Sequence, residues 1–159
     1  MQQSGTQIRV ADATSSIMEE MAGLEGPLLP ILHGLQAEFG HLPEEALKLV
    51  ADRLNISRAE IHGVASFYHD FREKPAGRHV VKLCRAEACQ AMGGEAVARH
   101  AAATLGIKPG ETTDDQAVTL ENVYCLGLCA CGPAAMVDGE VVASVTHEKI
   151  EAILAECRK

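Results

Sequence analysis

The stretch His79-Val80-Val81-Lys82-Leu83-Cys84-Arg85-Ala86-Glu87-Ala88-Cys89 decides how this chain is read. Its first half is a short apolar run and reads as a buried strand. Its second half is a Cys-x4-Cys pair that begins where the strand ends. The arrangement returns after a gap of 35 residues. Ala117 to Tyr124 alternates and reads as a strand, and Cys125-Leu126-Gly127-Leu128-Cys129 follows at once as a Cys-x3-Cys pair. If the two strands lie parallel and adjacent, both cysteine loops leave the same edge of a sheet. Four sulfurs distant in sequence then meet at the carboxyl ends of strands, where α/β folds build their sites.

Spacing narrows the chemistry. Structural zinc sites favour Cys-x2-Cys knuckles, whose tight turn aims two sulfurs at one ion. Neither pair here has that spacing. A [2Fe-2S] core has two irons, each taking two cysteines, so wider loops suit it. The plant-type ferredoxin run places a third cysteine after Cys-x4-Cys and two intervening residues, and here that position holds Met92. The Cys-x-x-Cys of a thioredoxin-type dithiol is missing as well. Spacing therefore favours iron–sulfur over zinc but leaves zinc open. A four-thiolate core is anionic, so a helix starting near Gly93 or Gly94 would direct its positive end toward the first loop. The Gly pair would also expose N–H groups to the sulfurs, and Leu126, Leu128 and Ala130 would shield them.

Around these motifs the composition sets limits. The chain has 159 residues, 47% of them apolar, enough for a packed core, with no Trp. Its formal charge of −8 argues against nucleic acid, whose phosphates need clustered Lys and Arg. No apolar run approaches the roughly 18 residues of a membrane span, and Met1 to Ala11 shows neither a long apolar stretch nor a positive n-region of the secretory kind. The chain reads as cytoplasmic, where clustered cysteines bind metal or do redox chemistry more often than they form disulfides.

Three segments are expected. Residues 1–25 read as an N-terminal extension, partly helical or loose, with Ser16 and Glu19 capping a short helix through Met21. Residues 26–73 read as a helical bundle. Leu28 to Phe39 has helical apolar spacing stopped by Gly40, and Pro43-Glu44-Glu45 opens a helix ended by Asn55. Ser57 and Glu60 form a capping box for a third helix running to about Asp70, with Ile56 and Ile61 as a hydrophobic staple. Lys74-Pro75-Ala76-Gly77 marks a boundary. Residues 78–159 read as a small α/β sandwich: strand, an Ala-rich helix Gly94 to Leu105, strand, a hairpin turning at Asp138-Gly139, and a last helix capped by Thr146.

At this point the motifs are familiar. Val81-Lys82-Leu83-Cys84, Cys89 and Cys125-Leu126-Gly127-Leu128-Cys129 with Pro133 resemble the thioredoxin-like [2Fe-2S] ferredoxin family. So do Glu38-Phe39-Gly40-His41-Leu42-Pro43 and Gly63-Val64-Ala65-Ser66-Phe67-Tyr68 in the helical part. The resemblance covers about residues 25–159. It implies an α/β fold, a thioredoxin-like [2Fe-2S] ferredoxin domain preceded by a small three-helix bundle. It implies Cys84, Cys89, Cys125 and Cys129 as ligands of one [2Fe-2S] cluster. The family includes the 24-kilodalton-type subunit of respiratory complex I and the matching subunits of NAD-linked hydrogenases and formate dehydrogenases. Two loops, Cys84 to Gln90 and Cys129 to Gly139, look most like the gamma subunit of a soluble, molybdenum-containing formate dehydrogenase. The implied partner is a flavin subunit that binds FMN and NAD. Further Fe-S clusters and a molybdenum cofactor are expected on partner subunits. The chain itself would carry electrons and convert no substrate.

The remaining candidates read more plainly. Cys131 departs from the family pattern and reads as a spare thiol beside Cys129, with an exchange of ligand roles as the rival. Cys157 reads as a small core residue. His62 and His69 share a helix face, but no carboxylate completes a metal site, so they read as structural or interface residues. Phe67 and Tyr68 suit a subunit interface if exposed. No Ser-His-Asp order, phosphate loop or nucleotide fingerprint is present. A zinc-stabilised scaffold module and a dithiol redox enzyme stand as the competing function classes.

Overall fold

The structure, a computed structural model, describes residues 2–159, with side chains from residue 8 onward. The expectation for Met1 lies outside the described residues. Two compact units divide at Pro75 and Ala76, within the Lys74 to Gly77 stretch.

The first unit is helical, with α1 (Gln2–Glu20), α2 (Leu28–Phe39), α3 (Glu44–Leu54) and α4 (Arg58–Phe67). Helix α1 takes the helical side of the expectation for residues 1–25 but runs through the cap expected at Ser16, and it makes the bundle one of four helices rather than three among the described residues. Val10, Thr14 and Met18 recur at helical spacing and are buried. The stripe is hard to see because its middle member is polar. The Thr14 hydroxyl donates to the Val10 carbonyl at 2.6 Å and Ser15 donates to Ala11 at 2.9 Å, so the polar groups are satisfied inside the helix. Val10 and Met18 join Ile31, Leu32, Leu35, Leu47, Val50 and Ile61 in one apolar core.

The other ends follow local chemistry. Gly40 stops α2 in the left-handed region at φ 73°, its N–H donating to Gln36. Asn55 does the same for α3 at φ 53°. At the start of α4 the Glu60 N–H donates to Ser57 Oγ at 3.2 Å, and Glu60 accepts from the Ser57 N–H at 2.7 Å. Replacing Ser57 by Ala is expected to cost about 1 kcal/mol, read as a lower midpoint in thermal or denaturant unfolding. Helix α4 ends at Phe67, short of the expected Asp70, because Tyr68 is extended. The turn beyond it is held by tertiary contacts. Gln36 accepts from the Arg72 N–H at 2.7 Å, and the Phe71 ring lies 4.9 Å from that of His33.

The second unit runs Ala76–Lys159. It holds β1 (His79–Cys84), α5 (Glu87–Ala91), α6 (Gly94–Leu105), β2 (Val118–Val123), β3 (Ala135–Val137), β4 (Glu140–Val142) and α7 (His147–Cys157). The strand order is β2-β1-β3-β4. Strands β1 and β2 are parallel, with Cys84 opposite Val123, and β3 is antiparallel to β1. Asp138 at φ 50° and Gly139 at φ 93° make the β3–β4 hairpin turn. Val81, Leu83, Val118, Leu120 and Ala135 from the sheet share a core with Val97, Ala101 and Leu105 of α6 and Ile150 and Leu154 of α7. The small residues Ala98, Ala101, Ala117 and Ala135 are all buried there, which lets backbone layers approach closely without aromatic side chains. Cys157 lies in this core.

Candidate metal centre

The parallel pairing of β1 with β2 brings both cysteine loops to one rim. Cys84 is the last residue of β1, and the Arg85 N–H extends the pairing by donating to the Val123 carbonyl at 2.8 Å. The chain then winds into the short helix α5, which the sequence reading missed and which carries Cys89 inward. Cys84 is 3% exposed and Cys89 2%. Leu126, Leu128, Val123 and Ala86 pack around them with Ala134. Ala130, expected to help shield the site, is exposed.

The second loop turns sharply. Cys125 sits at φ 79° and Gly127 at φ 78°. A non-glycine residue in that region is uncommon and marks an imposed geometry. Here it folds the loop so that Cys125 Sγ lies 3.7 Å from Cys129 Sγ, with the Gly127 N–H donating to Cys125 Sγ at 3.4 Å. Both cysteines are exposed, unlike the first pair. All six cysteines are free thiols.

Electrostatics separates the two buried thiols. Burial pushes the Cys84 thiol up, but N–H groups of Ala86, Cys125 and Leu126, together with the Cys89 thiol, outweigh it and hold Cys84 below the usual thiol range. Cys89 is pushed up by burial and by its bond to Cys84, and the Ala134 N–H only partly offsets this. Cys129 is pushed up by its neighbour Cys125. Charge on Cys84 and Cys129 is felt at Cys89, and charge on Cys84 is felt at Cys129, so the pairs share one electrostatic environment. The shift at Cys84 favours the thiolate, the form that binds metal. The N–H groups thought to come from the Gly pair come largely from elsewhere, since the Gly93 N–H donates to the Gln90 carbonyl.

Two glycines shape the site by what they lack. A Cβ on Gly94 would stand 2.6 Å from the Cys89 carbonyl oxygen. One on Gly132 would stand 3.2 Å from Met92 Sδ and 3.4 Å from Cys89 Sγ. The sequence showed Gly94 as a helix start, but its steric role needs the fold. Cys131 ends a 3-10 turn begun at Cys129, is exposed, and its carbonyl accepts from the Ser144 N–H at 2.7 Å. Three of the histidines pair with carboxylates elsewhere: His62 faces Glu73 at 3.7 Å, His79 bonds Asp138 at 2.7 Å, and His100 bonds Glu151 at 2.7 Å. Among the described residues no three His, Cys, Asp or Glu side chains gather as one metal ion would require. The sulfurs stand as two pairs, a donor set that fits a two-iron core with two thiolates per iron.

Comparison with known proteins identifies the family. The model of the thioredoxin-like [2Fe-2S] ferredoxin family matches residues 14–158. The chain therefore belongs to that family, whose cofactor is a [2Fe-2S] cluster, and the zinc-scaffold and dithiol readings give way. Among its relatives, the NADP-reducing hydrogenase subunit HndA of Solidesulfovibrio fructosivorans is 34% identical over 139 residues, 87% of this chain and 81% of that protein. A subunit of the NADH-quinone oxidoreductase of Rhizobium meliloti (strain 1021) is 37% identical, across 82% of this chain and 78% of that one. A solved NAD+-reducing [NiFe]-hydrogenase chain is 26% identical and superposes with a TM-score of 0.68. That match covers 80% of this chain but spans only 22% of the hydrogenase chain. Among the described residues no helix is long and apolar enough to cross a membrane.

Proposed function

We propose that this chain is an electron-transfer subunit of an NAD-linked oxidoreductase complex. Cys84 and Cys89 would hold one iron of the [2Fe-2S] cluster, and Cys125 and Cys129 the other. The convergence of two thiol pairs at the β1–β2 rim carries the reading. When bound, the cluster supplies a one-electron carrier. The chain's own residues bind it, keep water from its inner side and offset its charge. The buried Cys84–Cys89 pair and the leucines of the second loop form the dry side. The N–H groups of Ala86, Leu126, Gly127 and Ala134 are donors for thiolate charge, which favours the reduced state and raises the potential. The exposed Cys125–Cys129 pair leaves the other side open to a redox partner.

The partner we propose is a flavin subunit binding FMN and NAD, in a cytoplasmic complex. The parent is proposed to be a formate dehydrogenase with a molybdenum-containing catalytic subunit, on the loop residues Cys84 to Gln90 and Cys129 to Gly139. The relatives named above favour a hydrogenase or an NADH–quinone oxidoreductase equally well, which is the second reading.

The purified chain is expected to be reddish-brown with about two irons and two acid-labile sulfides. A colourless chain with one zinc would overturn the proposal. Tagging the chain and assaying the copurified complex separates the parents. Formate-driven reduction of NAD with molybdenum present supports the first reading. Hydrogen- or quinone-linked activity supports the second.

A further inference from the structure

Arg85 follows Cys84 directly, where β1 gives way to the first cysteine loop. Its backbone and its side chain are both tied down by residues that neighbour the buried thiols in sequence. Its N–H donates to Val123, and its carbonyl accepts from Gln90 Nε2 at 2.6 Å. Gln90 is the residue after Cys89. The Arg85 guanidinium donates through Nη2 to Glu95, in the first turn of α6, next to the glycine that abuts Cys89. Thus the residues that follow Cys84, Cys89 and Gly94 form one bonded set around the inner pair.

That set is electrically uneven. The Arg85 side chain is 22% exposed and that of Glu95 is 48%. The acid is better solvated, so water screens its charge more than that of the base. Moreover, Arg85 Nε is buried without a hydrogen-bond partner among the described residues. A buried N–H of a cation without an acceptor is disfavoured unless something negative lies near it. The group this site is built to hold is an anion that gains a further negative charge when reduced.

We propose that Arg85 sets the reduction potential of the cluster, its half-buried charge favouring the reduced form, with Glu95 tempering that charge. The inference rests on the [2Fe-2S] reading above and adds a residue outside the ligand set.

The test is a redox titration of the full chain carrying its cluster, followed by visible absorption and by electron paramagnetic resonance of the reduced form. Arg85→Gln is expected to lower the ratio of reduced to oxidised cluster at a fixed poise by about tenfold, the order set by one partly screened charge and equal to about 59 mV for a one-electron couple. Arg85→Lys keeps the charge and is expected to restore most of that loss. Glu95→Gln is expected to shift the ratio the other way by several-fold. Opposite shifts in Arg85→Gln and Glu95→Gln at equal iron content support the proposal. Equal midpoints in all three variants, or shifts of the same sign, overturn it and leave the pair a structural tie. Should Arg85→Gln fail to fold, the upward shift of Glu95→Gln alone decides. If the parent chain carries no iron, the cluster reading fails instead, and that outcome is distinct from unshifted midpoints in loaded protein.

Discussion

Cys84→Ser and Cys89→Ser chains are expected to lose most of their iron and their visible spectrum, while Cys157→Ser keeps both. The two positions are almost sealed from water, so no outside group replaces a missing sulfur. A serine hydroxyl is far harder to deprotonate than a thiol, and burial raises that cost further. At Cys84 the loss is compounded, because the donors Ala86, Cys125 and Leu126 would face a neutral oxygen in place of a thiolate. Cys125→Ser and Cys129→Ser are expected to weaken the site less, since both are exposed and solvent can assist. Cys157 lies in the apolar core of α6, α7 and the sheet, so its replacement changes packing and not the spectrum. Iron and sulfide content with visible absorption decides all five variants. If Cys131→Ser abolishes the spectrum and Cys129→Ser spares it, the ligand assignment moves to Cys131.

Gly94→Ala is the second large effect. Ala is favoured over Gly inside helices by about 1 kcal/mol, so propensity alone predicts a gain. At Gly94 the added methyl would stand 2.6 Å from a carbonyl oxygen and 3.0 Å from the carbonyl carbon of Cys89. Those are backbone atoms of a short helix already held by its own hydrogen bonds, and they cannot swing aside. Overpacking of this kind costs about 1–3 kcal/mol, which exceeds the propensity gain. The net result is a destabilised second unit and a displaced Cys89. A fall of about 4–8 °C in melting temperature per kcal/mol is expected for a unit of this size, together with poorer iron loading. Gly132→Ala is expected to be milder, because its nearest neighbour is the flexible end of Met92. Gly63→Ala is the control. It lies inside α4 with nothing within 4 Å of the added carbon, so it is expected to stabilise by about 0.5–1 kcal/mol. A Gly94→Ala chain that melts and loads like the parent would remove the steric account.

Much of this was legible because local chemistry dictated it. The capping box at Ser57 and Glu60, the left-handed stops at Gly40, Asn55 and Gly106, and the Asp138-Gly139 turn are all decided within a few residues. Helix α1 was not legible, since Thr14 hides its hydroxyl in the preceding turn and breaks the visible apolar stripe. The end of α4 was misread by three residues because Gln36, from another helix, holds the turn that follows. The four candidate cysteines could be picked out from spacing and family resemblance, but their division of labour could not.

From the sequence alone came most of the element types, α1 and α5 excepted, the two cysteine loops at the ends of strands, and the family they point to. Periodicity, caps and motif spacing act over short range, so a chain displays them before it folds. Only the tertiary structure decided that one thiol pair is buried and the other open, that Gly94 must lack a Cβ, and that Arg85 shares its charge with Glu95. Those facts depend on which surfaces of α5, α6 and the second loop meet, and contacts between residues far apart in the chain leave no periodic trace along it.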